Sequence, residues 1–155
     1  MITVEESIEI PRPIADVYRF VITEHAANHP RWDPDVVSVQ KVSPGEVGVG
    51  TRFTMGRTWM GRVQESALLV TDCEPQRRVV MRSETRPLDL DFDNEFESRD
   101  GATRLTFRAH VKPHGPLNMM TPIIGDQFRK GLRRSLENVR RLMTEADTAT
   151  VASDS

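Results

Sequence analysis

From Pro116 to Met143 the apolar residues Met120, Ile123, Ile124, Phe128, Leu132, Leu136, Val139, Leu142 and Met143 return every three or four positions. That is the period of one long helix with a single apolar stripe. From about Val36 to Val111 the chain instead alternates apolar and polar residues with period two. A helix stripe has to be buried, and strands with one apolar face are the partner this chain offers. The pattern predicts an α+β domain in which a curved antiparallel sheet of about seven strands wraps around a long C-terminal helix, leaving a cavity between them.

The elements follow in order. Met1 to Ile10 is a first strand, with Ile2, Val4, Ile8 and Ile10 on one face and Glu6 as the odd member among them. Pro11-Arg12-Pro13 stops it, and Pro13 to Val21 reads as a helical segment. A second short helical turn is expected around Glu24 to Asn28, ended by Pro30, before a turn at Trp32-Asp33-Pro34. Strands are predicted at Asp35–Val42, Thr51–Thr58, Arg62–Thr71, Arg78–Thr85, Leu88–Glu97 and Thr103–Val111. Arg99-Asp100-Gly101 is a hairpin turn, because aspartate and glycine tolerate its positive φ. Residues 1–144 make one domain, and the small polar segment 145–155 reads as a disordered tail.

Composition narrows the function classes. The chain of 155 residues has 21 basic and 23 acidic side chains, a net charge of −2, which gives no basic footprint for nucleic acid. The basic face of the last helix, Arg129 to Arg141, reads as a solvated surface balanced by the acidic strand Asp89 to Glu97. No apolar run of membrane-spanning length occurs, so stable membrane insertion is not expected. The single Cys73 fits a reducing cytoplasm. No phosphate-cradling loop, nucleotide fingerprint or nucleophile elbow occurs, and no cofactor is expected. Whether the chain is a homodimer is left open.

Three stretches, Ile8-Glu9-Ile10-Pro11-Arg12-Pro13-Ile14-Ala15-Asp16-Val17-Tyr18, Trp32-Asp33-Pro34 and Val47-Gly48-Val49-Gly50-Thr51-Arg52-Phe53, precede the closing amphipathic helix. With the element order, they resemble the START-like helix-grip superfamily (SRPBCC), and within it the polyketide cyclase/dehydrase and lipid-transport branch. The resemblance covers roughly Met1 to Met143 and implies the helix-grip fold. It also implies a hydrophobic small-molecule partner such as a lipid, polyketide or aromatic metabolite. Its motifs mark strand ends and turns, so they carry over no catalytic residue, and the catalytic set is unknown.

In such a grip, polar residues on the helix-facing side of the sheet are the candidates for chemistry, since a buried polar group needs a partner or a ligand. Parity places Glu6, Arg57 and Asn94 there, among the apolar Phe53, Met55, Phe92 and Phe96. With Met120 and Ile124 from the helix, these nine form the expected ligand-binding set. Their alternative is a closed structural network, for instance a Glu6–Arg57 pair. His25 and His29, like His110 and His114, are four apart without further ligands, so no metal site is expected. These histidines read as surface residues, and proton shuttling at the cavity mouth is the alternative for His25 or His29. Trp32 reads as an anchor of its turn, while Trp59 lies near a hairpin tip. Gly125 and Gly131 suggest close approach to the sheet, a bend, or room for a ligand. Three function classes remain: a carrier of a hydrophobic molecule, a cyclase or dehydratase using cavity groups for proton transfer, and an interaction module with a solid core.

Overall fold

A computed structural model of the chain describes residues 1–85 and 88–153. Among the described residues, seven strands form one antiparallel sheet: β1 (Ile2–Ile10), β2 (Val36–Lys41), β3 (Arg52–Trp59), β4 (Arg62–Glu74), β5 (Arg78–Thr85), β6 (Leu88–Arg99) and β7 (Ala102–Pro113). Their order is β1-β7-β6-β5-β4-β3-β2, so the first strand closes against the last. Between β1 and β2 lie α1 (Ile14–Tyr18), one π turn (Arg19–Thr23) and α2 (His25–Trp32). A 3₁₀ turn (Gly115–Met120) leads from β7 into α3 (Thr121–Ser153). This is the helix-grip architecture that the two hydrophobic periods imply.

Register brings the inward residues into rows. Val4, Ala109, Phe92, Met81 and Val70 stand opposite one another across β1, β7, β6, β5 and β4. The next row holds Glu6, Phe107, Asn94, Val79 and Cys73. A bulge between Val70 and Asp72 keeps β4 in phase with β5 beyond the expected strand end at Thr71. The β6–β7 hairpin turns through Asp100 and Gly101, both at positive φ (52° and 83°), as the dipeptide predicts.

Helix α3 lies along β1 and β7 and buries Ile124, Leu132, Leu136, Val139 and Met143. Each such side chain contributes about 1.5–3 kcal/mol. The long helix begins later than its stripe suggested, because Pro116 opens the 3₁₀ turn and α3 starts only at Thr121. It runs to Ser153, taking in most of the segment read as a tail; side chains beyond Glu145 lie outside the described residues. The side chain of Trp59 lies outside them as well. Helix α2 passes through Pro30 rather than ending before it. Near a helix end the proline removes one backbone bond, and the Asp33 N–H still donates to the His29 carbonyl (3.0 Å).

The two helical glycines differ. A Cβ on Gly125 would lie 3.3 Å from Ile2 Cγ2, whereas one on Gly131 would meet nothing within 4 Å. Close approach to the sheet therefore accounts for Gly125 alone. Gly131→Ala is expected to raise stability by about 0.5–1 kcal/mol, read as a higher urea midpoint at unchanged slope. Gly125→Ala, which has to displace Ile2, should gain less in the same titration.

Candidate functional site

The sheet and α3 do not touch everywhere. A cavity of about 60 Å³ separates them, with Met55, Leu68, Met81, Phe92 and Phe107 from β3 to β7 and Leu132 and Ser135 from α3 on its walls. His25, His29, Trp32, Asp33, Arg57 and Asn94 supply its polar side.

Local geometry explains how α2 delivers the histidines. The π turn ends at Glu24, whose N–H reaches back five residues to the Arg19 carbonyl (2.8 Å), and the helix breaks there (φ −104°, ψ 32°). The break restarts the chain as α2 at His25, whose Nδ1 meets the Val21 carbonyl at 3.2 Å. The His25 ring packs on Phe53 and Trp32, with centroids 5.0 and 5.8 Å away. One turn on, the His29 ring stands 4.5 Å from that of His25. Asn28 Nδ2 donates to the Phe20 carbonyl (3.0 Å), and Asn138 of α3 donates to the Trp32 carbonyl (2.9 Å), pinning both ends of α2.

Asp33 gathers the charges. Its Oδ2 accepts from Arg57 Nη2 at 2.6 Å, its Oδ1 accepts from the Asp35 N–H at 3.1 Å, and His29 Nε2 stands 3.8 Å away. Burial works against the carboxylate, but His29, Arg57 and the Asp35 amide outweigh it and bring its pKa down to about 2. Burial lowers the pKa of both histidines, that of His25 well below the usual value and further because of His29 beside it; Asp33 only partly restores that of His29. The neighbours assign the tautomers. His25 Nδ1–H faces a carbonyl and His29 Nε2–H a carboxylate, so His25 Nε2 and His29 Nδ1 are the bare nitrogens. Both are buried and neither has a protein partner.

Of the nine expected ligand contacts, Met55, Arg57, Phe92 and Asn94 stand on the cavity wall. Arg57 pairs with Asp33 rather than Glu6, and Asn94 Nδ2 donates across to the Val79 carbonyl (3.1 Å). Glu6 has the expected inward parity, but α3 covers its strand and Arg133 Nη2 bonds it at 3.1 Å. Phe53, Phe96 and Ile124 are core residues, with Phe53 against His25 and Phe96 edge-on to Tyr18. Met120 ends the 3₁₀ turn and is 43% exposed, because the helical stripe only takes hold at Ile124. The surface assignment of His25 and His29 is corrected: His25 is buried and His29 half-buried, and both stand in the cavity wall. Their four-residue spacing on an expected helix was the available signal. Asp33 gave none beyond a turn, and Trp32 both anchors α2 and lines the cavity.

Among the described residues, no group of three or more His, Cys, Asp or Glu side chains is placed to hold a metal ion, and no helix is long and apolar enough to cross a membrane. A family model described as polyketide cyclase/dehydrase and lipid transport matches residues 1–144. No curated protein sequence matches the chain. Among solved structures the fold is similar to protein TTHA0849 from Thermus thermophilus (TM-score 0.77, 16% identity, 93% of this chain and 98% of that one). It is also similar to the ZhuI aromatase/cyclase from Streptomyces (0.73, 14% identity, 89% and 90%). A START superfamily protein from Mycobacterium smegmatis is a third (0.69, 11% identity, 90% and 98%).

The buried histidines set a pH dependence. The unfolded imidazole titrates near 6.5 and the folded ones lower, so below about pH 6.5 the unfolded state binds more protons and stability falls with pH. The Asp33 contribution persists until the pH drops below the ordinary carboxylate range. Between pH 7 and 5, urea titrations should show the wild type losing up to about 1.4 kcal/mol per pH unit for each histidine. His25→Phe should flatten that slope by the share of one proton; an unchanged slope would refute the assignment.

Proposed function

The chain belongs to the polyketide cyclase/dehydrase and lipid transport family, and from that premise we propose that it binds a small, mostly apolar molecule between the sheet and α3. The observation that carries this reading is the cavity itself, apolar over β3 to β7 and polar where α2 and Arg57 close it. Small-molecule sites combine such walls with a few convergent polar groups. Met55, Phe92, Arg57 and Asn94 are the proposed contacts, joined by His25, His29 and Leu132; Phe53, Phe96 and Ile124 support them from behind. At about 60 Å³ the space matches roughly two water molecules, well short of the roughly 300 Å³ of larger ligand sites. A bigger guest requires the wall to move, and Met55 and Met81 are its adaptable members. Residence in a reducing cytoplasm is proposed on the single free Cys73.

A second reading, cyclase- or dehydratase-type proton transfer, is favoured by one arrangement. His29 stands in the cavity wall with Asp33 3.8 Å from its Nε2 and no protein partner at its Nδ1, the layout of an oriented general base. Arg57 is then the group beside which an enolate-like oxygen gains stabilisation.

Native mass spectrometry of the protein as purified, followed by denaturing extraction, tests the first reading. A co-purifying hydrophobic molecule is expected, and Ser135→Leu, which projects an apolar side chain at the cavity from α3, should remove it. A clean mass for the wild type, or retention by the variant, counts against cavity binding. Once a ligand is known, His29→Gln should lower turnover far more than affinity if the protein is an enzyme, whereas in a carrier affinity alone can change.

A further inference from the structure

The acidic strand expected to balance the basic face of α3 is committed elsewhere. On the outer face of the sheet, Asp91 pairs with Arg82 (2.9 Å), Asp93 with Arg78 and Arg108, Glu95 with Arg108 (3.3 Å) and Glu97 with Arg99 (3.4 Å). Helix α3 lies on the inner face, against β1 and β7. From Asp126 to Glu145 its solvent side carries six basic side chains and three acidic ones, Asp126, Glu137 and Glu145. Lys130, Arg133 and Arg141 have partners in Asp126, Glu6 and Glu145. Among the described residues, Arg129, Arg134 and Arg140 have no ion-pair partner. The same side opens on apolar residues: Met119 is 88% exposed, Ile123 54% and Met120 43%. Ile123, Lys130, Arg134 and Arg141, at offsets of 7, 11 and 18 residues, fall on one line along the helix.

We propose that this side of α3, with the turn that precedes it, docks on an anionic lipid surface. Met119, Met120 and Ile123 enter the headgroup region, and Arg129, Lys130, Arg134 and Arg141 meet the lipid phosphates and carboxylates. A helix with a basic solvent side and apolar side chains on that same side lies in the plane of a bilayer, held by both kinds of contact. Each Lys or Arg near an anionic surface raises affinity about fivefold. Their long stems let the charged heads reach the phosphates while the helix rests higher or lower in the interface. A nucleic acid would engage the same cations through charge and leave Met119 and Ile123 idle. Docking needs no spanning segment. The stripe of Ile124, Leu132, Leu136, Val139 and Met143 stays in the core, and the solvent side alone is used. Because α3 also walls the cavity through Leu132 and Ser135, docking sets one cavity wall beside the bilayer. The docking itself does not depend on what the cavity holds.

Sedimentation of the full chain with lipid vesicles tests this. Binding is expected to vesicles of about one part phosphatidylserine to two of phosphatidylcholine, at least about tenfold tighter than to phosphatidylcholine alone. Added salt should release the protein. Arg129→Gln with Arg134→Gln should weaken binding about tenfold or more, and Met119→Ser with Ile123→Ser should weaken it by a similar factor. All four residues are exposed, so both variants should keep a melting temperature close to that of the wild type. Independently of any variant, backbone hydrogen exchange over Gly115–Met120 in the wild type should slow with phosphatidylserine vesicles, while β6 on the outer face stays unchanged. Equal binding to both vesicles, binding to neither, or protection elsewhere but not in this turn overturns the proposal. So does a serine variant that binds as the wild type does while a short DNA duplex displaces the vesicles, since the face is then a general polyanion site.

Discussion

The apolar face of the seven-stranded sheet must be covered, and the helices cover it unequally. Because β1 closes against β7, α3 is laid along those two strands, and α2 is held against β2 at the far edge. The inward side chains of the strands between, Met55, Leu68, Met81 and Phe92, have neither helix directly over them and line the cavity instead. The cavity is thus a consequence of strand order and curvature, and no separate element builds it. Its walls inherit the inward parity of strands, which is why they are apolar. Most of its polar side comes from the segment that does not obey that parity, α2 and the turn after it, joined by Arg57 and Asn94 from the strands.

That segment is held by its own polar bonds. The break after the π turn, the Asn28 and Asn138 amides on backbone carbonyls, and the Asp33–Arg57 pair fix α2 between β3 and α3. Asp33 stays ionised despite burial because His29, Arg57 and the Asp35 amide stabilise its charge. That pair also confines the positive charge of Arg57, so the cavity presents neutral imidazoles beside a compensated ion pair. On the outer face of the sheet the same logic yields only structure. Asp93 is buried there under Arg78 and Arg108, and Arg108 bonds Glu5 and Glu95 as well.

Strand parity was legible in the sequence because it depends on neighbours two residues away. Phe92, Asn94, Met55 and Arg57 reach the cavity wall as their alternation implied. What parity cannot supply is the partner. Arg57 binds Asp33 because the turn after α2 lands beside β3, and Glu6 meets Arg133 because α3 crosses β1; both pairings span distant parts of the chain. The histidines were misplaced for a different reason. Pro30 reads as a helix stop, and a helix of eight residues carries too little pattern to show which face it buries. Met120 fell out of the site because a 3₁₀ turn precedes α3 and shifts the phase by which a single long stripe was counted.

The two kinds of cavity wall do different physical work. Burial against Met55, Met81, Phe92 and Leu132 is non-directional, proportional to apolar area, and nearly blind to which compact apolar molecule is present. Affinity gained there cannot distinguish a hydroxylated ring from its methylated or bare counterpart by more than a small factor. Discrimination needs a group that is worse off when the wrong molecule is bound. A polar group on the wall meets that condition, since a guest that cannot pair with it leaves it unpaired in a site the guest has also dehydrated. A cavity this small leaves a guest little room to sit away from the polar side formed by α2, Arg57 and Asn94.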